Sequence, residues 1–546
     1  MSFSFTGGVP RVRCAIPGFD NHSSSLRYDD PRITDNLDYF YDAVAYYSGK
    51  ESYCNYCERL PAENMTILKC TANISKPCDF GERSYIYDRS QYTRTLVADL
   101  HMTCSHAWRR SLASSAFMVG FLVGAGLSGC LSDRFGRRPV VLALSFIGLV
   151  SYHLIIFVQN FPLLIVFHVV NGACSHGAFI TAFVIVMEYI SGVAATICGI
   201  WVQGIFALGY IYVGLCAIAI RDWRWLQIAI SAPTVLVIPC VWLAPESVRW
   251  LIAHGRSEES KRIIIKAAAF NRRPINNIAE LERDIDYTIM EERQSSANQL
   301  TEYRNNTKSD RVTVINLFTT HRKLGIMTAV VFFSWFAASM AYYGLSLNTA
   351  DLPGNDYVNY ALSGIVELPG FLIAIPMLQR WGRRPTLVTF FGIGGIAIIV
   401  STFLPRSTKV WTVVVVIFAC IGKMSAAAAF AVIYNYTAEL FPTVARNAGV
   451  GFASLCARIA SISAPQIYLL GTVIPNGRWF PFSFYGAVVL AAAVLGRIIL
   501  PETLNRPALP ETLQDGVNLA CGRNFEDPLL TLEKPLKSGS VLTPVT

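Results

Sequence analysis

The chain has 546 residues, 53% of them hydrophobic and only 15% charged, with a net charge of +9 at neutral pH. Soluble domains carry roughly 25% charged residues, so a chain this apolar cannot cover the surface of a water-exposed globule. Its basic residues sit in short connections between apolar runs, which excludes a nucleic-acid partner.

Taken in chain order, residues 1–110 form a polar segment holding six of the fourteen cysteines, Cys14, Cys54, Cys57, Cys70, Cys78 and Cys104. Cysteines at this density predict up to three disulfides in an oxidising space, with the pairing open. Asn21, Asn64 and Asn73 each begin an Asn-X-Ser/Thr sequon in the same segment, so they are glycosylation candidates. Eleven apolar stretches follow, near 111–131, 139–158, 162–187, 193–219, 226–244, 324–347, 358–378, 386–404, 411–433, 447–471 and 479–500. A bilayer core takes about 20 helical residues to cross, and these runs exceed the length of buried strands. The expectation is an all-α polytopic membrane protein.

Arginine-rich connections orient it. Arg134, Arg137 and Arg138 fill one connection, Arg380, Arg383 and Arg384 another, and residues 245–323 hold many of the remaining basic side chains. The positive-inside rule makes these segments cytoplasmic. The polar start and the connections at 159–161, 220–225, 348–357, 405–410 and 472–478 then face outward. The stretch "GRSEESKRIIIKAAAFNRR" within 245–323 predicts short helices on the cytoplasmic face, and 501–546 reads as a cytoplasmic tail, polar and disordered beyond 523.

The sequence repeats itself. "GRRP" starts at 136 and again at 382, an offset of 246; Glu188 is echoed by Glu439, and "PES" at 245 by "PET" at 501. Landmarks in the same order predict two similar bundles, 111–244 and 324–500, joined by the segment 245–323. The second begins with a span, 324–347, that has no partner ahead of 111–131.

"GCLSDRFGRRP" (129–139) resembles the signature of the major facilitator superfamily, whose members have twelve spans in two pseudo-symmetric bundles. "PESVRWLIAHGRSEESKRIIIKAAAFN" (245–271) and "YTAELFPTVARNAGVGFASLCARIASISAP" (436–465) are similar to the organic cation, organic anion and carnitine transporters. "GLSLNTADLPGNDYVNYALSGIVELPGFLIA" looks most like the carnitine and novel organic cation branch. The resemblance implies alternating access to a small organic ion, with no cofactor. It also implies that "RVRCAIPGFDN" follows a first helix, so that the chain as given starts after that helix. Coupling to sodium or protons is open, and so is the oligomeric state.

Asp133 and Arg137, four residues apart, can pair with each other and with a helix end as a cytoplasmic latch. Arg134, Arg138, Glu188, Glu246, Arg383, Arg384, Glu439 and Arg446 are gate candidates on the same face. The arginines also set topology.

Within the spans the full charges are Glu367, Lys423, Arg458 and Arg497, and Arg497 lies close enough to an end to snorkel. An unpaired charge at mid-bilayer costs at least about 2.5 kcal/mol. The other three therefore predict a watery chamber, unless they serve only as an ion pair locking helices. The resemblance places Arg458 where cation-transporting relatives carry aspartate, and anion and carnitine relatives arginine. One acid and two bases favour an anion or a zwitterion, whose carboxylate an arginine grips with two bonds.

Trp335 and Tyr342 fall on one face of a helix as walls for a quaternary ammonium, with Phe430 and Gln227 as further lining. Ordinary packing is the alternative for these side chains. A core role is expected for His176, whereas His168 stands where relatives carry arginine. No GxxxxGK[ST] loop, GxSxG elbow or HExxH pair occurs, so ATP hydrolysis, catalysis and a metal site are not expected. Two alternatives stand beside the organic-ion carrier. One is a sugar porter of the same superfamily. The other is a non-transporting, truncated membrane protein that regulates a relative.

Overall fold

In a computed structural model the protein is a bundle of long helices beneath a small outer segment. The structure describes residues 10–14, short stretches between 44 and 90, 92–190, 192–272, 314–347, 349, 352, 356–405, 408–474, 477, 479–504, 510 and 513–522, with isolated positions in 283–290.

Among its described residues the outer segment combines short strands with one short helix, Leu96–Asp99. It pairs six short strands two by two: β1 Val12–Cys14 with β6 Tyr85–Tyr87, β2 Val44–Tyr47 with β3 Lys50–Tyr53, and β4 Asn55–Cys57 with β5 Ser75–Pro77, all antiparallel. Asn21, Asn64, Asn73, Cys54, Cys70 and Cys78 lie outside the described residues, as do the side chains of Cys14 and Cys57. Cys104 is disulfide-bonded.

The first half comprises α1 Trp108–Phe135, α2 Arg137–Leu154, α3 Phe161–Tyr189, α4 Gly192–Ala219 and α5 Trp223–Leu243. Two short helices follow, α6 Val248–Ala253 and α7 Ser257–Phe270. The second half comprises α8 Arg322–Leu347, α9 Asp356–Ile365, α10 Glu367–Arg380, α11 Arg383–Phe403, α12 Lys409–Leu440, α13 Thr443–Val473 and α14 Trp479–Ile499; α15 Leu513–Ala520 closes the described chain.

Ten helices are long and apolar enough to cross a membrane among the described residues, not the eleven expected. The difference falls in α4, of which only Gly204–Ala219 enters that comparison. The stretch read as 358–378 is one span made of two pieces, α9 and α10, that meet at Val366. Pro369, in the first turn of α10, needs no i−4 bond there and lets the helix restart.

Gly136 and Gly382 begin α2 and α11 at φ of +102° and +101°. At both, a Cβ would stand 2.6 Å from a carboxylate, that of Glu246 at Gly136 and that of Glu502 at Gly382. Only glycine allows this sharp reversal with an acid seated on the next helix's N-terminus.

α8 forms the middle of the second half, where it packs against α12, α13 and α14. Its most apolar window is 72% buried, against 39% for α1 and 17% for α5. Glycines let α1 and α3 approach closely in the first half: a Cβ on Gly120 would fall 2.3 Å from the Val169 carbonyl. No helix corresponding to α8 occupies the first half among the described residues. An apolar cavity of about 510 Å³ is lined by α1, α3, α4 and α5 of the first half and by Tyr343 of α8.

The halves meet along α1 with α13 and α4 with α9. Ser115 Oγ donates to the Ile462 carbonyl at 2.7 Å and accepts from Gln466 Nε2 at 3.0 Å. The rings of Tyr210 and Tyr360 lie 5.2 Å apart. All these residues lie in the outward halves of their helices. There too the Tyr92 hydroxyl donates to Asp356 Oδ2 at 2.9 Å, across the two halves. Burial and the Asp356 charge hold that phenol well above its ordinary range, so the donor keeps its proton at physiological pH. Tyr92 is carried by a strap in which Arg94 Nε donates to Asp99 at 2.8 Å and Trp223 Nε1 donates to Asp99 at 2.9 Å. The halves are thus closed against each other on the outward side.

Candidate functional site

The cytoplasmic ends repeat one arrangement twice. Arg137 lies 2.5 Å from Asp133 and 3.3 Å from Glu188. Arg383 lies 3.0 Å from Glu439. Glu246 accepts from the backbone N–H groups of Arg137 at 3.0 Å and Arg138 at 3.2 Å. Glu502 does the same for Arg383 at 2.9 Å and Arg384 at 3.1 Å. A carboxylate on the first N–H groups of a helix satisfies donors that have no partner in the helix and meets the positive end of its dipole.

Arg138 donates to the Trp242 carbonyl and Arg384 to the Arg497 carbonyl. Arg134 has its guanidinium 5.3 Å from the Phe135 ring, and Arg446 donates to the Phe441 carbonyl at 3.4 Å. Each of these ion pairs and caps stays within one half. Glu502 was not anticipated from the sequence, although the "PET" echo of "PES" marks it.

At mid-membrane, Glu367 and Lys423 are 1% and 3% exposed, with Lys423 Nζ 3.0 Å from Glu367 Oε1. Glu367 begins α10 at the break after α9, and α12 carries Lys423 to it. The same ammonium sits 3.4 Å from the centroid of the Tyr342 ring and 5.3 Å from that of Tyr210, and donates to Ser346 Oγ. Lys423 therefore fills the Tyr342 face that a substrate cation would use. Trp335 is fully buried; its Nε1 donates to Thr437 Oγ1 at 2.8 Å, and Phe430 bridges it to Tyr342 at 5.9 and 6.1 Å. Gln227 is 4% exposed near the start of α5.

Arg458 stands apart from this pair. It is 5% exposed, its Nη1 donates to the Tyr343 hydroxyl at 3.4 Å, and its Nε is buried without a partner. No carboxylate lies within ion-pair distance of it among the described residues. Its guanidinium lies 5.7 Å from the Phe121 ring. Tyr343 and Phe121 are both walls of the 510 Å³ cavity, a volume typical of small-molecule sites. Arg458 stands out in the sequence as a charge within an apolar run, whereas Tyr343 and Phe121 do not, because their approach depends on how α1, α3 and α8 come together.

The same α3 carries two buried histidines. His168 Nδ1 is 3.0 Å from the Leu164 carbonyl, a satisfied core position. His176 is stacked on Phe121 at 4.6 Å, and its ring nitrogens make no hydrogen bond among the described residues. No cluster of His, Cys, Asp or Glu that could hold a metal occurs among the described residues.

Paired bundles of membrane-length helices and an internal repeat define a polytopic membrane transporter of the major facilitator type. The sugar (and other) transporter family matches residues 70–509. An organic cation transporter protein of Drosophila melanogaster is 36% identical over 512 residues, covering 93% of this chain and 87% of that protein. Human organic cation/carnitine transporter 2 is 32% identical over 454 residues, covering 83% and 77%. Rat solute carrier family 22 member 12 is 31% identical over 519 residues, covering 94% and 89%. Among solved structures, the inward-open xylose transporter XylE of E. coli superposes with a TM-score of 0.54 at 16% identity, over 76% of this chain and 89% of that one. The chain belongs to the sugar (and other) transporter family of the major facilitator superfamily, in the group that includes these organic cation and carnitine transporters.

Proposed function

We propose that this protein moves small organic anions and carboxylate-bearing zwitterions of the carnitine kind across the plasma membrane. The solute enters the cavity between the halves and is gripped by Arg458, and the halves then rock about it. One observation carries this reading: among the described residues Arg458 is a buried cation with no carboxylate partner, while Glu367 and Lys423 neutralise each other. The site's uncompensated charge is then positive. A buried guanidinium with an unsatisfied N–H gains most from a carboxylate or sulfonate, which supplies both charge and acceptors.

For a plain cation the site is unfavourable as it stands, because Lys423 already occupies the Tyr342 face and leaves no net negative charge. A zwitterion can bind through its acid end at Arg458 and lay its ammonium among Phe121, Phe206 and Tyr343 of the cavity wall. The names of the relatives, which include organic cation and carnitine transporters, support a small organic ion. The GRRP arginines and their carboxylates are the cytoplasmic latches in this reading, and Tyr92 with Asp356 is the outer one.

The test is uptake into liposomes containing the purified chain, with radiolabelled carnitine, tetraethylammonium, p-toluenesulfonate and glucose. Carnitine and the sulfonate are expected to enter at several times the rate of tetraethylammonium, with glucose at the rate of empty liposomes. Preferential uptake of tetraethylammonium or of glucose would overturn the assignment.

A further inference from the structure

His176 and Arg458 come from opposite halves and share one neighbour. The imidazole is stacked on Phe121 at 4.6 Å with an interplanar angle of 8°. The Arg458 guanidinium lies 5.7 Å from the same ring. The two groups are therefore within about 10 Å of each other, both buried at the edge of the cavity, where charges act on each other more strongly than in bulk solvent. The residues flanking His176 line the cavity: Ser175 and Phe179 on its own helix, and Phe121 across from it.

Other ionisable groups around His176 are few. α3 packs against α1 and α2. The charged groups of α1 (Arg109, Arg110, Asp133 and Arg134) stand at its two ends, and α1 presents Phe121 here. α2 contributes Tyr152, beside Ser175, and His153, whose Nδ1 is held 2.8 Å from the Leu149 carbonyl. On α3 itself stand Cys174 and, two turns away, the backbone-bonded His168. From the second half come Arg458 and the Tyr343 hydroxyl bonded to it. Among these groups, Arg458 is the full charge that shares a neighbouring ring with His176.

We infer that His176 is a proton-coupling residue: it binds a proton when an anion occupies Arg458 and releases it when the anion leaves, so that solute and proton cross together. This rests on the reading of Arg458 as the anion anchor. With Arg458 bare, a second positive charge at His176 is repelled. With a carboxylate or sulfonate on the guanidinium, that repulsion is cancelled, and a ring nitrogen with no protein partner takes a proton from the water of the open cavity. No bond other than N–H forms or breaks, and one proton accompanies each anion. The coupling is reciprocal: acid on the entry side strengthens anion binding by the factor by which the anion strengthens proton binding. His168, already bonded to the backbone, is the internal control.

The experiment uses the full chain in liposomes with radiolabelled p-toluenesulfonate, a permanent anion that cannot carry a proton itself. Uptake is compared at an external pH of about 5.5 and about 7.5, straddling the ordinary histidine range, with the lumen at about 7.5. At least a threefold stimulation by external acid is expected, abolished by a protonophore. His176→Gln should still transport but at one rate at both pH values, and His168→Gln should keep the stimulation. A wild-type protein that carries the sulfonate equally at both pH values, or a His176→Gln protein still stimulated, would overturn the coupling and leave the anion reading intact. A wild-type protein that neither binds nor carries the sulfonate overturns both. A second readout uses only the wild type and so does not depend on the folding of His176→Gln. In weakly buffered detergent solution at pH about 6.5, addition of p-toluenesulfonate should be accompanied by proton uptake approaching one per anion bound. Binding without proton uptake refutes the proposal.

Discussion

Removing Glu367 would leave Lys423 as a charge buried at 3% exposure with no acid beside it. Breaking one side of such a pair costs about 3–5 kcal/mol, whereas replacing both partners by apolar groups is often near neutral. Glu367→Gln and Lys423→Met are therefore each expected to lower the melting temperature in detergent by several degrees. The double variant should melt closer to wild type than either single one; losses that simply add would show that the two charges are not coupled. Glu367, Lys423 and Arg458 were legible in the sequence because a charge amid a long apolar run must have a reason to be there. What each one faces was not. The pairing of Lys423 with Tyr342 and the solitude of Arg458 depend on the rotation of α8, α12 and α13 about their axes, which a run of apolar residues does not specify. His168 and His176 look alike as letters, and only the Leu164 carbonyl at 3.0 Å separates them.

At the level of helices, the two GRRP corners behave as one device made twice. Gly382→Ala would put a Cβ 2.6 Å from the Glu502 carboxylate at a φ of +101°. It is expected to cost about 1–2 kcal/mol from the backbone alone, read as a lower melting temperature, and Gly136→Ala should match it. Glu502→Gln and Glu246→Gln each weaken a charge-assisted cap worth up to about 2 kcal/mol. Both should slow transport in the same direction; a normal Glu502→Gln carrier would mean that the second corner is not a latch. The repeat made this symmetry visible from spacing alone, yet Glu502 escaped notice because it lies past the last span, where a single acid in "PET" stands out in no pattern. The outer strands were illegible for a related reason: pairs of three or four residues carry too few alternations to mark a face.

Over the whole molecule, the halves touch on the outward side, while the cytoplasmic ion pairs are internal to each half. Tyr92 is the reach of the outer segment across that seam. Tyr92→Phe removes a buried hydrogen bond worth about 1 kcal/mol, or roughly a fivefold change in population, and should shift the carrier toward its outward-open form. A cysteine placed at Ser363, 5% exposed in the closed seam, would then react several times faster with an impermeant thiol reagent added outside. Unchanged reactivity would remove Tyr92 from the gate. Two bundles and a linker could be read from the offsets between landmarks; which side is closed could not, since both states use the same apolar faces. The central claim is that the solute's acid group rides on Arg458, and exchanging that charge tests it most directly. Arg458→Asp should lose at least tenfold in p-toluenesulfonate uptake and raise tetraethylammonium uptake above the wild-type level. An Arg458→Asp carrier that keeps both rates unchanged would contradict the account.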